Sequence, residues 1–376
     1  MNFYNPVGIT MYPGARAELV EICADASVLV FCSESMVARL RGDKYLGGFL
    51  SSGNVEFEHG FSSNPSLTDM TGIAARYASQ RIDFIIGLGG GSAMDVAKIS
   101  AVAIPAFERG FSLTELLDDN HLVSKLSPID CLQVPTTAGT GSEVTPFATV
   151  WDYEKCEKKS LSHSLMYAKN AYVDSELLQG LPLGVALSTG LDALNQALES
   201  LWNVNANEYT RAIAVKAVVV SLTSLNQLEN IRLEPAVAND LAMASVFAGC
   251  AISQTRTAIC HSISYPLTMK FGLSHGMACA FSMLDVLEFN SEFIQNDLRA
   301  IETQLGNISI ERLVSDILIK YDFNTYLKEH LSSTEQVMSL QSEMMNPSRA
   351  GNNIRRVSKL DLADILRRSC LRASLS

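Results

Sequence analysis

The stretch DFIIGLGGGSAMDVAKISAVAI, residues 83–104, decides the fold. Residues 84–88 form an apolar run with the length of a buried strand. Gly89, Gly90 and Gly91 follow as a turn, and from Ala93 onward the pattern is helical. A strand, a glycine turn and a helix in that order form one unit of a parallel α/β sheet.

The same alternation extends outward. Residues 13–24 read as a helix and VLVF at 28–31 as a buried strand. Asn64-Pro65 marks a helix start, with Pro65 at the first helical position, running towards Gln80. Further strands are expected at 131–134 and 171–173. After Leu181-Pro182 the character changes to helical patterns at 185–202, 208–228, 235–253, 278–290, 310–320 and 359–368. The expected fold is an N-terminal α/β domain with a parallel sheet, residues 1–180, followed by an all-α domain, residues 181–376.

Composition bounds the function. The 376 residues are 47% hydrophobic and 18% charged, which is a globular balance. A net charge of -11 and a pI near 5.1 argue against nucleic acid or an anionic membrane as the main partner. They do not exclude an anionic small molecule held in a local basic pocket. MNFYNPVGIT lacks the basic start and apolar core of a signal peptide. No apolar run approaches the roughly 18 residues of a membrane helix. The longest, AIAVKAVVVSL at 212–222, is broken by Lys216. The eight cysteines show no CxxC spacing, which suits reduced thiols in a cytoplasmic protein.

Three loops and one helix carry candidate chemistry. In GGGSAMDVAK, residues 89–98, glycines let a backbone approach a ligand closely, and the first helical amides point at a phosphate. Ser92 is placed to cap that helix and to donate to a phosphate oxygen. The plain alternative is a tight turn that binds nothing. PTTAGTGSEVTPFATV, residues 135–150, offers hydroxyls at Thr136, Thr137, Thr140 and Ser142 between glycines, after a second strand of the same sheet. CHSISYPLTMKFGLSHG, residues 260–276, carries His261 and His275, with Pro266 and Gly272 between them. The two histidines therefore do not share one straight helix. In GLDALNQALES, residues 190–200, Asp192, Asn195, Gln196 and Glu199 line one side of a helix whose other side is leucine. Asp192 with His261 and His275 would be a two-histidine, one-carboxylate set, good for Fe(II) and acceptable for zinc. Whether the three meet in space stays open at the level of spacing. His59, His121, His163 and His330 read as structural or surface residues.

At these motifs the chain resembles the iron-containing (group III) alcohol dehydrogenase family. The resemblance runs through SNPS (63–66), GGGSAMDVAK, PTTAGTGSE, STGLDAL (188–194), the two histidines fourteen positions apart, and NPSRAGNN (346–353). It implies a dinucleotide-binding α/β domain, an all-helical metal-binding domain, and an active site in the cleft between them. Gly89, Gly90, Gly91 and Ser92 would line the cofactor pyrophosphate, with Asp95 supporting that loop. Thr136, Thr137 and Thr140 would contact the cofactor, and Lys159 would lie near the nicotinamide ribose. Asp192, His261 and His275 match three of four metal ligands. The fourth position, usually histidine, is Gln196, a neutral and weaker ligand through its carbonyl oxygen. Tyr265 stands where many members carry a further histidine, and its hydroxyl is placed to donate to a substrate oxygen.

FATVWD (147–152), KKSL from Lys158 and SQTRTAICHSISYPLT from Ser253 resemble the branch that reduces phosphonoacetaldehyde to 2-hydroxyethylphosphonate. An anionic tail suits Arg256 and Thr257 upstream of His261, and less so Lys270. Sulfoacetaldehyde, succinic semialdehyde or simple aldehydes are the rival substrates. A nucleotide-binding descendant that lost its metal through Gln196 is the rival class. The implied cofactors are Fe(II) or zinc and NAD(P)H. Cys32-Ser33-Glu34 after the VLVF strand permits NADP(H) without excluding NAD(H). A homodimer is the family-level expectation.

Overall fold

The eight strands are β1 (Gly8–Met11), β2 (Val28–Phe31), β3 (Val55–Glu58), β4 (Phe84–Gly89), β5 (Asp130–Pro135), β6 (Phe147–Asp152), β7 (Glu157–Ser162) and β8 (Asn170–Val173). They come from a computed structural model that describes residues 2–62, 64–155, 157–229 and 233–375. Ser63, which opens the SNPS motif, and Cys156 lie outside the described residues. Six strands form one all-parallel sheet in the order β1-β8-β5-β4-β2-β3, and β6 and β7 form an antiparallel hairpin. Every residue of β2 is buried, as expected of a central strand covered on both faces. β1 and β3, at the sheet's edges, were not legible as strands. The four residues of VEFE and GITM alternate too briefly and stay partly exposed. β7, EKKSLS, is too charged to announce itself.

The chain divides into two compact units. One is Asn5–Thr137 with Gly141–Gln179, and holds both sheets. The other is Gly180–Ser376 with Met1–Tyr4 and Ala138–Thr140, and is helical. Two hydrogen bonds tie Tyr4 to Gln254 across 250 positions, Tyr4 N to Oε1 at 3.1 Å and Nε2 to Tyr4 O at 2.8 Å.

In the α/β unit, β4 lies beside β5 with Gly89 opposite Pro135. The glycine turn and the PTTAGTGSE loop therefore leave neighbouring strand ends, the place where open α/β sheets bind ligands. The helix after the turn, Gly91–Glu108, starts earlier than expected. Gly90 is its N-cap, without a side-chain hydrogen bond, and Ser92 lies inside the first turn rather than capping it. Gly87 explains how closely this helix docks. A Cβ there would sit 2.3 Å from Gln133 Oε1 and 2.9 Å from both Ala97 Cβ and Met94 Cα. Pro65 likewise falls outside its helix. Ser66 is the N-cap of Leu67–Tyr77 and accepts from Asp69 N at 2.9 Å.

In the helical unit, Ile310–Lys320 spans the expected residues, and Lys359–Arg372 extends beyond them. Ile259–Phe271 was not expected as a helix because Pro266 reads as a breaker. The helix holds Pro266 inside it and stops at Gly272, whose φ of 72° is left-handed. Among the described residues, Pro235–Thr255 is the one helix long and apolar enough by length and composition to cross a membrane, though Asn239 and Asp240 interrupt its apolar run. It is largely buried in the unit, as a core helix is.

Candidate active site and metal centre

The helix Leu183–Leu201 carries the polar stripe, and the stripe is not wet. Asp192, Asn195, Gln196 and Glu199 are all buried. Of the two roles open to Asn195 and Glu199, solvent contact or support of the ligand residues, their burial leaves the second, since each is claimed by a neighbouring segment. Asn195 Nδ2 donates to Cys279 O at 2.9 Å. Glu199 accepts from Ala258 N at 2.7 Å, His261 N at 3.1 Å and His261 Nδ1 at 2.7 Å. Ala258 is the N-cap of Ile259–Phe271 and has no side-chain oxygen, so a carboxylate from another helix does the capping. The same carboxylate holds the His261 proton on Nδ1 and leaves Nε2 free as a ligand atom. That Nε2 faces Asp192 Oδ1 at 3.3 Å.

His275 opens the next helix, His275–Asn290, just after the Gly272 turn. Its ring lies 5.3 Å from that of His261, edge-on. Gly276 makes this approach possible, because a Cβ there would sit 1.7 Å from Ser188 O and 3.0 Å from Asp192 N. One helical turn on, Cys279 brings its Sγ to 4.0 Å from His275 Nε2. Ligand atoms of Asp192, His261, His275 and Cys279 all lie within 4.8 Å of one another. Sequence reasoning missed Cys279, although its spacing of four from His275 on a helix was the available signal.

The electrostatics of this cluster are mutual. Burial alone would lower the His261 pKa, but Cys279, Glu199 and Asp192 carry it well above the ordinary value. His275 is raised in the same way against burial, mainly by Cys279 and Asp192. Burial would raise Asp192 and Cys279; the two imidazoles outweigh it, lowering Asp192 and holding the Cys279 thiol at about 7. Asp192 Oδ1 and Gln196 Oε1 are buried acceptors with no hydrogen-bond donor. Two orphaned oxygens beside two imidazoles and a thiol fit a divalent cation. Gln196 Nε2 donates to Thr140 O at 3.4 Å.

Tyr265 lies parallel to the His275 ring at 6.0 Å, with an interplanar angle of 5°. Its hydroxyl accepts from Arg349 Nε at 3.3 Å. Arg349, in the NPSRAGNN motif, was also missed. It makes no ion pair among the described residues. Arg256 forms the turn into Ala258 at φ 65°, ψ 175°, a region that glycine favours. Asn203 Nδ2 and Thr255 Oγ1 pin its carbonyl at 3.1 and 3.0 Å. Thr257 is buried, with its carbonyl accepting from Asn352 Nδ2 at 2.8 Å. Lys270 is bound to Glu343 at 2.5 Å on the surface.

In the α/β unit the two loops are braced against each other. Thr136 N donates to Gly89 O at 2.9 Å. A Cβ on Gly90 would lie 3.4 Å from Thr137 Oγ1. Asp95 reaches past the glycine turn, accepting from Ser142 Oγ and from Thr149 N at 2.9 Å. Lys98, fully buried, donates to the carbonyls of Ser142, Thr145 and Phe147. Lys159, in β7, pairs with Asp118 at 2.8 Å. Thr140 belongs to the helical unit and there accepts from Gln196.

Glu143 gives this loop a pH signature. Burial pushes its carboxyl up to about 7, against an ordinary 4.5. The folded state thus binds the extra proton between those values, and stability falls as pH rises through that window. Glu143→Gln should match the wild type near pH 4 and exceed it at pH 8 by up to about 3 kcal/mol. Thermal unfolding at both pH values checks this, and equal gains at both would contradict it.

Comparison with known proteins gives a consistent pattern. Residues 6–175 match the family model "Iron-containing alcohol dehydrogenase", and residues 186–370 match "Fe-containing alcohol dehydrogenase family, C-terminal". Phosphonoacetaldehyde reductase of Streptomyces viridochromogenes is 34% identical over 60% of this chain and 58% of that protein. The match thus spans less than two thirds of that relative's length. NADPH-dependent butanol dehydrogenase of Clostridium saccharobutylicum is 27% identical over 97% of both chains. The crystal structure of sulfoacetaldehyde reductase from Bifidobacterium kashiwanohense in complex with NAD+ shares the fold, with a TM-score of 0.84, 24% identity and 98% coverage of both chains.

Proposed function

This chain belongs to the iron-containing alcohol dehydrogenase family, and on that premise we propose that it is a metal-dependent, NAD(P)H-linked reductase of a short anionic aldehyde, foremost phosphonoacetaldehyde. The observation that carries the anionic substrate is Arg349, a guanidinium without a carboxylate partner among the described residues, held at the Tyr265 hydroxyl above a ligand histidine. The similarity to a phosphonoacetaldehyde reductase supports the same reading.

When bound, the ion supplies Lewis acidity to the carbonyl and the nicotinamide supplies the hydride. The chain does the rest. Asp192, His261 and His275 hold the ion, with Glu199 fixing the His261 ring. Gly89, Gly90, Gly91 and Ser92, with the uncapped amides of Gly91–Glu108, receive the pyrophosphate. Thr136, Thr137 and Thr140 offer hydroxyls to the cofactor. Arg349 and Arg256 orient the acidic tail, and Tyr265 Oη gives the proton to the new alcohol oxygen. The retained strain at Arg256, about 1–3 kcal/mol, fits a side chain kept for function.

Turnover of phosphonoacetaldehyde, sulfoacetaldehyde and butyraldehyde with NADH and NADPH tests the proposal. Arg349→Ala should lower kcat/KM for the phosphonate about 10- to 100-fold, one charge-assisted hydrogen bond, and leave butyraldehyde within about threefold. A wild-type preference for butyraldehyde would reject the anionic substrate. A preference for sulfoacetaldehyde would move the assignment to the sulfonate.

A further inference from the structure

We propose that Cys279 supplies the fourth ligand of the metal centre, in the place that Gln196 leaves without an imidazole. The inference rests on the reading that this cluster holds a metal ion, and it adds a sulfur to the set. Three observations carry it.

The first is position. Cys279 stands one turn after His275 on one helix, so both side chains project from the same face. Its Sγ falls in the same group of ligand atoms as Asp192, His261 and His275, all within 4.8 Å. Ligand atoms around a tetrahedral zinc are roughly 3.3–3.8 Å apart, given bonds of about 2.0–2.3 Å. The cluster thus needs a contraction of about an ångström, within reach of side-chain rotation.

The second is the orientation of Gln196. Its amide nitrogen is the end engaged, donating to Thr140 O at 3.4 Å. A glutamine ligates through oxygen, and the unpartnered Oε1 is a neutral, weaker ligand than a thiolate, so it yields the fourth place to Cys279. The third is what else the cysteine does. Cys279 is fully buried and is one of seven free cysteines among the described residues, yet its carbonyl is already pinned by Asn195 Nδ2. That bond fixes the backbone from which Sγ projects, as a ligand requires.

The consequence is a change of charge and softness. Two imidazoles, one carboxylate and one thiolate give a set of charge minus two and neutralise a divalent ion. Three imidazoles with one carboxylate would leave it singly positive. Thiolate also shifts preference towards zinc and away from oxygen-loving ions.

Cobalt reports the difference directly. The metal-free full-length protein, loaded anaerobically with Co²⁺, should show visible ligand-field bands together with a near-ultraviolet sulfur-to-cobalt charge-transfer band. Cys279→Ser should keep the ligand-field bands and lose the charge-transfer band, with cobalt affinity down at least about tenfold. Gln196→Ala should keep both. Ligand-field bands without a charge-transfer band in the wild type would overturn the sulfur ligand and leave the metal reading standing. A charge-transfer band that survives Cys279→Ser would overturn it as well. Failure to bind cobalt at all would remove the metal reading and this inference with it. The wild-type spectrum decides even if the serine variant folds poorly.

Discussion

Glu199→Ala should cost the metal-free protein about 3–5 kcal/mol, the range for breaking a buried charged pair. The single carboxylate satisfies Ala258 N, His261 N and His261 Nδ1, all in a buried setting. Alanine strands all three donors in a fully buried pocket. Glu199→Gln keeps the volume but presents an amide NH2 to at least one donor, so it should lose more than half of that stability. Urea unfolding of the metal-free variants measures the loss. Amide exchange at residues 258–262 should rise first, because these donors start the helix Ile259–Phe271. A loss under about 1 kcal/mol for alanine would show that the cap is dispensable.

Asp192→Asn should act on chemistry more than on folding. The side chain keeps its size, but the cluster loses the one carboxylate aimed at His261 Nε2. Turnover should fall by at least about a thousandfold, roughly 4 kcal/mol of barrier. The unfolding midpoint of the metal-free protein should fall only modestly, since the amide keeps the size of the side chain and loses only its charge towards the two imidazoles. Metal content by elemental analysis should drop in parallel with turnover. Full activity with a metal-free variant would overturn the role given to this carboxylate.

Much of the α/β unit was legible because its signals are local. The VLVF run became a fully buried strand, and GGGSAMDVAK became a turn and a helix. The short edge strands β1 and β3 were not, because an edge strand of four residues is defined by its neighbours rather than by its own pattern. In the site, the stripe Asp192, Gln196, Glu199 was visible as periodicity. Its burial was not, since helical spacing marks a face without saying what covers it. Spacing alone therefore left Glu199 between solvent and support of a ligand, and its burial against His261 decides for support. Cys279 was within reach of its spacing from His275, whereas Arg349 escaped because it matters only through Tyr265, distant in sequence.

The pairing of Tyr4 with Gln254 has a consequence for synthesis on the ribosome. The chain is made from its N-terminus, and these partners are 250 residues apart. At about 5–20 residues per second, the first strand of chain waits roughly 12–50 seconds for its partner to emerge. Late in that interval, once Gln179 is made, the α/β unit has all its own residues in hand, whereas the helical unit is still being made. A nascent chain halted between Gln179 and Gln254 should therefore lack the Tyr4–Gln254 tie at its N-terminus while its sheet is already protected from protease.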